Sequence, residues 1–189
     1  MLDLSTTRQG PLDSLAGALR PFAAAELAVV PPQTKFVLRC GPDALAAAGK
    51  AFGVALPDVA CRAAISGNRA ALWLGPDEWL LIAAPENVSA IASQLAIALG
   101  NAPHSLVDVS HRNAAITVKG PRAAALINHG CPLDLSFAAF PVGMCTRTLF
   151  EKAEIILWRI EQRTFQMEIE RSFATYVWRM LADAREAFI

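Results

Sequence analysis

The sequence has few of the residues from which metal sites are built. It contains three histidines, scattered at positions 104, 111 and 129, and four cysteines without any CxxC spacing. Catalytic zinc usually needs three protein ligands in a fixed geometry, so no metal site is expected. The cysteines are expected to be buried thiols of a reducing compartment. They are Cys40, Cys61, Cys131 and Cys145.

The chain also lacks a glycine-rich fingerprint for a dinucleotide. Gly41 and Gly120 each stand alone before a proline, where a Rossmann motif would place three glycines between a strand and a helix. Binding of NAD or FAD through such a motif is therefore excluded.

No excess of charge and no long apolar run is present. Lysine and arginine total 17, as do aspartate and glutamate, so no overall field would attract nucleic acid or an anionic membrane. A membrane-spanning helix needs ~18 apolar residues, and Asp77, Glu78 and Glu86 interrupt the longest apolar region. Residues 1–20 lack the basic-then-apolar order of a secretory signal. These absences predict a cytoplasmic protein without nucleic-acid or membrane partners.

Apolar residues, in contrast, are abundant. They make up 54% of the 189 residues, and the mean hydropathy is +0.36. A chain of this length can bury a proper core, but the surplus predicts a surface that a partner protein covers. The isolated chain could self-associate through the same surface.

The order of elements repeats along the chain. Gly41-Pro42 and Gly120-Pro121 both join a strand to a helix and lie 79 residues apart. The first unit, 35–103, is predicted as a strand (36–40), a helix (44–52), a hairpin (70–74, 78–83) and a helix (87–99). The second, 104–189, is predicted as a strand (115–119), a helix (122–128), strands (145–150, 154–160, 165–169) and a helix (173–188).

This order predicts an α+β fold of duplicated β-α-β-β-α units with antiparallel sheets, integrated in one domain. Residues 1–34 are predicted to be a weakly structured N-terminal arm, with a helical fragment at 14–20. Pro31-Pro32, near the end of the arm, cannot be part of a continuing helix.

A polar cluster interrupts the apolar segment 106–118. If this segment is one strand, Asp108, Ser110 and Arg112 share a face, and Arg112 could clamp a ligand carboxylate. Alternatively, Asp108 pairs with Arg112 and Ser110 caps local backbone. A Ser–His hydrolase is excluded under the same geometry, because Ser110 and His111 would point to opposite faces.

Two further groups of residues, the tryptophans and the late arginines, each allow two interpretations. Four tryptophans fall in predicted strands or the last helix, and Trp79 directly follows a hairpin turn. Tryptophan fills cores and also anchors interfaces. Arginines crowd the last third of the chain, where they could form an anion-binding face or solvate the outer side of strands; they are Arg147, Arg159, Arg163, Arg171 and Arg179.

Six sequence blocks occur in a fixed order along the chain: WLGPDEWLL at 73–81, VDVSHR at 107–112, GCPLDL at 130–135, FPVG at 140–143, TRT at 146–148 and ERSFATYVW at 170–178. Together these blocks resemble the gamma-subunit family of bacterial heterotetrameric sarcosine oxidases. The resemblance runs from about residue 35 to 188. The segment from Asp108 to Gly120-Pro121 is also similar to the folate-binding aminomethyltransferase (glycine-cleavage T-protein) family.

The resemblance implies a subunit of a complex that oxidatively demethylates sarcosine to glycine and passes the one-carbon unit to tetrahydrofolate. The implied partners are alpha, beta and delta subunits, chiefly alpha. FAD, FMN, NAD, tetrahydrofolate and zinc are then expected on those subunits, with no cofactor on this chain. No residue here is carried over as catalytic, which implies a subunit that is not catalytic by itself.

Two rival functions remain open from the sequence. One is a stand-alone folate or one-carbon ligand-binding module, with Asp108, Arg112 and Trp79 as candidate pocket residues. The other is a small aminomethyltransferase that acts alone.

Overall fold

The fold consists of two five-stranded antiparallel sheets that pack face to face, with helices on their outer faces. The computed structural model describes residues 10–16, 20, 22–85 and 88–188. The predicted class, a duplicated α+β fold with antiparallel sheets, is confirmed.

The two halves of the chain repeat one element order, β-β-α-β-β-β-α. The first half, after helix α1 (Asp13–Ala16), consists of β1 (Glu26–Val29), β2 (Thr34–Cys40), a 3-10 turn (Pro42–Ala44), α2 (Leu45–Phe52), β3 (Ala63–Ser66), β4 (Arg69–Gly75), β5 (Glu78–Ala83) and α3 (Val88–Leu99). The second half consists of β6 (His104–Asp108), β7 (Asn113–Lys119), α4 (Ala123–Ile127), β8 (Cys145–Phe150), β9 (Ala153–Glu161), β10 (Thr164–Glu170) and α5 (Arg171–Glu186).

Each half gives one edge strand to the sheet of the other half. One sheet has the order β3-β4-β5-β2-β6, and the other has the order β1-β7-β10-β9-β8. Strand β1 therefore pairs with β7, and β6 pairs with β2. The unit boundaries at 34/35 and 103/104 stay a prediction, because each sheet takes strands from both sides of them.

Two strands of the first half are absent from the sequence-based prediction. The first is β1, which lies in the segment predicted as a weakly structured arm; Leu27 of this strand is buried against β7. The second is β3, an alanine-rich strand of four residues that pairs with β4. The predicted helical fragment at 14–20 lies partly outside the described residues, and within them α1 ends at Ala16.

The arm segment is docked tightly on the turn after β7. Gly120 has a φ of 128°, and a Cβ there would lie 2.6 Å from the carbonyl oxygen of Ala24. The amide of Arg122 donates to the same oxygen at 2.8 Å. Only glycine fits this backbone conformation and this close approach, so Gly120 positions β1 beside β7.

Three apolar layers hold the sandwich together. Helices α2 and α3 cover the outer face of one sheet, and α1, α4 and α5 cover the outer face of the other. In α5, the buried residues Ala174, Val177, Trp178 and Leu181 recur at helical spacing. The third layer lies between the sheets, where Leu72 and Leu80 meet Ile156 and Trp158.

Candidate functional site

Residues 106–118 do not form a single strand. Strand β6 ends at Asp108, residues 109–112 form a loop, and β7 begins at Asn113 in the other sheet. The Oδ1 atom of Asp108 accepts hydrogen bonds from the Ser110 amide at 2.9 Å and from its hydroxyl at 2.6 Å. A carboxylate that binds the backbone two residues on favours a turn over a continuing strand. Asp108, Ser110 and Arg112 therefore do not share one strand face.

The 109–112 loop fastens one sheet to the other. Ser110 is buried, and its Oγ accepts the backbone N–H of Lys35 at 3.0 Å. The amide of Val109 donates to the carbonyl oxygen of Lys35 at 2.9 Å. The hydroxyl of Ser110 therefore binds backbone, as one interpretation of the sequence expected, but the backbone belongs to a strand 75 residues away and is not local. Ser110 ties the start of β7 to β2.

Arg112 reaches across to the last residue of β10. Its guanidinium lies 2.9 Å from Oε1 of Glu170, and both side chains are about half exposed. An exposed pair of this kind contributes roughly 0–1 kcal/mol to stability. Arg112 is thus engaged with Glu170 rather than presented as an unpaired carboxylate clamp.

A buried ion pair joins the facing sheets beside this loop. Lys35 Nζ on β2 lies 2.6 Å from Glu168 Oε2 on β10, with side-chain exposures of 4% and 1%. The side-chain Nε2 of Gln166 donates to the second oxygen, Oε1, at 2.8 Å. Both carboxylate oxygens therefore have partners, which buried charges require to be tolerated.

Sequence reasoning did not identify Lys35 or Glu168 as functional residues. The alternation of Phe165, Met167 and Ile169 with Gln166 and Glu168 is typical of a strand that is buried on one face only. In the structure both faces of β10 are buried, one under helices and the other against the second sheet. Only the pairing of two sheets distant in sequence identifies Glu168 as an internal charge.

Two cavities lie beside the 109–112 loop and the Lys35–Glu168 ion pair, and both are small. One has a volume of about 50 Å³ and is lined by Gln33, Lys35, Ser110 and Asn113 among others. The other is about 40 Å³ and is lined in part by Arg112, Asn113 and Glu168. Ligand pockets are typically ~300–1,000 Å³, whereas a few tens of Å³ hold only a few water molecules. A folate does not fit in either cavity.

Trp79 lies in the core and not beside the polar loop. Its side chain is 1% exposed in the layer under α2 and α3, and its indole N–H donates to the carbonyl oxygen of Pro57 at 2.8 Å. The cavity that Arg112 lines includes neither Trp79 nor Asp108. The three candidate pocket residues are thus not brought together around that cavity.

The crowded arginines do not form a single face. Arg159 is buried, stacks over Phe165 with its Cζ 4.4 Å from the ring centroid, and donates to the carbonyl oxygens of Leu135 and Phe140. Burial lowers the pKa of Arg159. Arg147 pairs instead with Glu78 of the facing sheet. These two arginines therefore make structural contacts in separate parts of the fold.

Among the described residues, no group of three or more His, Cys, Asp or Glu side chains could hold a metal ion. No helix among those residues is long and apolar enough to cross a membrane.

Comparison with known proteins gives matches over the whole chain. Residues 39–187 match the model of the "Sarcosine oxidase, gamma subunit family". Sarcosine oxidase subunit gamma of Corynebacterium sp. (strain U-96) is 34% identical over 197 residues, covering 100% of this chain and 95% of the relative. The corresponding protein of Corynebacterium sp. (strain P-1) is 30% identical over 194 residues, with the same coverage.

Solved structures support the same relationship. A chain of the heterotetrameric sarcosine oxidase from Corynebacterium sp. U-96, in complex with pyrrole 2-carboxylate, superposes with a TM-score of 0.88 and 32% identity, covering 96% of both chains. The glycine cleavage system aminomethyltransferase T from Bartonella henselae superposes with a TM-score of 0.64 and 13% identity, covering 84% of this chain and 45% of that one. The second match shows a shared fold.

Proposed function

The chain belongs to the sarcosine oxidase gamma subunit family, and from this premise we propose that it is a non-catalytic subunit of a heterotetrameric sarcosine oxidase. The assembled enzyme would act in the cytoplasm and oxidatively demethylate sarcosine to glycine, with tetrahydrofolate as the one-carbon acceptor. This chain would stabilise the assembly without taking part in the chemistry.

The proposal rests on the polar residues between the two sheets, next to the 109–112 loop. The polar side chains there are engaged with one another: Asp108 with Ser110, Ser110 with the Lys35 backbone, and Lys35 with Glu168. A binding or catalytic site needs polar groups directed at a substrate in an adequate cavity. The cavities of 50 and 40 Å³ leave no room for a pterin. This engagement supports the proposal of a non-catalytic subunit.

The expected partners are the alpha, beta and delta subunits, chiefly alpha. Flavins, NAD, tetrahydrofolate and zinc would be held by those subunits. Exposed apolar side chains are available for such contacts; those at least 45% exposed are Val59, Ile65, Ile97, Val107, Phe137, Val142 and Leu149. Burial of apolar surface on association is the usual driving force for stable subunit contacts.

Co-expression tests the proposal. We expect an affinity-tagged form of this chain to co-purify with the alpha, beta and delta subunits as one complex of defined mass by size-exclusion chromatography with light scattering. Recovery of the tagged chain alone, from cells that contain the three other subunits in folded form, would contradict the proposal.

Calorimetric titration separates this function from a stand-alone folate module. Because the junction cavities do not admit a pterin, a reduced folate added to the isolated chain should give no heat and no change in tryptophan fluorescence. Saturable binding that is lost in Arg112→Ala would support the rival function.

A further inference from the structure

The two sheets are joined at a second place, on the edge opposite the crossover loops. Arg62 and Met144 form an isolated antiparallel bridge between the segment before β3 and the segment before β8. The flanking hydrogen bonds run from the Ala63 amide to the Gly143 oxygen at 2.7 Å and from the Cys145 amide to the Cys61 oxygen at 3.0 Å. This bridge places two cysteines directly opposite each other.

The register of the bridge brings Cys61 and Cys145 within disulfide range. The Cys145 amide donates to the Cys61 carbonyl oxygen at 3.0 Å, and standard backbone geometry then places the two Cα atoms roughly 5–6.5 Å apart. Disulfides span Cα separations of about 4.4–6.8 Å. Burial raises the pKa of the Cys145 thiol to about 12, and the nearby Cys61 also raises it.

The two cysteines differ in their exposure to solvent, and therefore in their access to an oxidant. Cys145 is fully buried between the sheets, whereas Cys61 is half-buried with its backbone in the left-handed region, at a φ of 59°. An accessible thiol is the one that meets an oxidant in solution. Cys61 is thus suited to react first, with Cys145 behind it as the second thiol.

The remaining two cysteines provide an internal contrast. Cys40 is buried in the apolar layer under α2 and α3, and Cys131 is buried in the layer under α4 and α5. Each belongs to a layer different from that of Cys145, which lies between the sheets. Cys61 with Cys145 is the pair that the fold brings together.

We propose that Cys61 and Cys145 form a reversible disulfide when the protein meets a hydroperoxide. The Cys61 thiolate attacks one peroxide oxygen of H₂O₂, the O–O bond breaks, and water leaves with the proton that the thiol supplies. The resulting sulfenic acid is attacked by the Cys145 sulfur, which loses its proton and releases a second water. Two thiols lose two electrons in total, and H₂O₂ is reduced to two waters.

This inference goes beyond the proposed function. An oxidase that passes electrons to oxygen would supply the peroxide locally, and to that extent the biological setting rests on the proposed function. The chemistry itself requires only the two thiols and added peroxide. The disulfide would covalently join the sheets at the edge where the Arg62–Met144 bridge now holds them.

The test is peroxide treatment of the purified, fully reduced chain, followed by alkylation of free thiols and peptide mapping without reductant. We expect a crosslinked peptide pair containing Cys61 and Cys145, two hydrogens lighter than the reduced pair and released by dithiothreitol. Because the disulfide closes a long loop, the oxidised chain should unfold roughly 5 °C or more above the reduced chain.

Variants distinguish this pair from nonspecific oxidation. Cys61→Ser should abolish both the crosslink and the thermal shift, and Cys145→Ala should leave a Cys61 sulfenic acid that dimedone traps. The matched control Cys131→Ala should retain the crosslink. If Cys61 and Cys145 remain fully alkylatable after peroxide, or if Cys61 proceeds to sulfinic acid while Cys145 stays a thiol, the proposal is wrong. Either result leaves co-purification with the other subunits, and hence the proposed function, unaffected.

Discussion

The two crossover loops connect the sheets in the same way but with different residues. In the first, 30–33, the amide of Val30 donates to the Ala115 oxygen at 2.9 Å; in the second, 109–112, the amide of Val109 donates to the Lys35 oxygen at 2.9 Å. Two prolines shape the first loop, and hydrogen bonds between Asp108 and Ser110 shape the second. The duplicated architecture therefore needs the crossover itself, and either stiff backbone or side-chain bonds can supply it.

The inner faces of the two sheets differ in a complementary way. Lys35 pairs with Ile82 in one sheet, and Ala115 pairs with Glu168 in the other. The first half thus carries a cation on β2 opposite an apolar residue of β5, and the second half carries an anion on β10 opposite an apolar residue of β7. A half that packed on a copy of itself in the same way would leave each buried charge facing an apolar residue without a counterion, which favours pairing with the other half. The predictions that follow test this asymmetry.

Removing one partner of the ion pair should have the largest effect. In Glu168→Leu, the ammonium of Lys35 would be buried without a counterion, and we expect a loss of about 3–5 kcal/mol in the free energy of unfolding. Urea unfolding measures this loss. The double variant Lys35→Met/Glu168→Leu should recover most of it, because an apolar pair leaves no buried charge. A double variant as unstable as the single one would show that the charges do not act as a pair.

The docking of β1 on the second half should be the next most sensitive feature. In Gly120→Ala, the added Cβ would meet the Ala24 oxygen in a backbone conformation that favours glycine, and we expect a cost of roughly 2–3 kcal/mol. Gly67 also has a positive φ but open space around it. Gly67→Ala should therefore cost only about 1–2 kcal/mol. Equal losses in the two variants would contradict a close approach at Gly120.

Loss of the Ser110 hydroxyl should break the second crossover loop specifically. Ser110→Ala leaves the Lys35 amide without its acceptor, and we expect a cost of roughly 1–3 kcal/mol. Faster hydrogen exchange of the Lys35 amide would locate the effect. Ser105, an exposed serine of the neighbouring strand β6, serves as control, and Ser105→Ala should be almost neutral. Unchanged exchange at Lys35 in Ser110→Ala would count against the loop's role.

Arg112→Ala should have the smallest effect. Its pair with Glu170 is half exposed, so we expect a loss of at most about 1 kcal/mol, reduced further at high salt. Thermal unfolding at low and high ionic strength measures it. A loss above 2 kcal/mol would mean that Arg112 has a structural role beyond this pair.

The sequence allows prediction of those features that depend on neighbouring residues. The turns at Gly41-Pro42 and Gly120-Pro121, the Gly75-Pro76 hairpin and the closing helix follow from local turn chemistry and periodicity. Strand β3 escaped prediction because its alanines have little β propensity. The exchange of β1 and β6 escaped it because strand pairing between distant segments has no local signal.

The sequence indicates the polar cluster at 108–112 but not its geometry. The sequence places Asp108, Ser110 and Arg112 in one cluster, but the ligand-clamp interpretation holds only for an uninterrupted strand. The Asp108–Ser110 bonds that end β6 depend on side-chain conformation. The partners Lys35 and Glu168 lie 133 residues apart in sequence, so only the packing of the two sheets brings them together.

Omission of this chain from the reconstituted oxidase tests the central claim most directly. The alpha, beta and delta subunits are expressed with and without it, and sarcosine-dependent oxygen consumption is measured together with the mass of the assembly. We expect that without this chain the assembly is lost or loses activity on storage, and that adding the chain back restores it. An alpha–beta–delta assembly that forms, persists and turns over normally without the chain would contradict a stabilising role for this subunit.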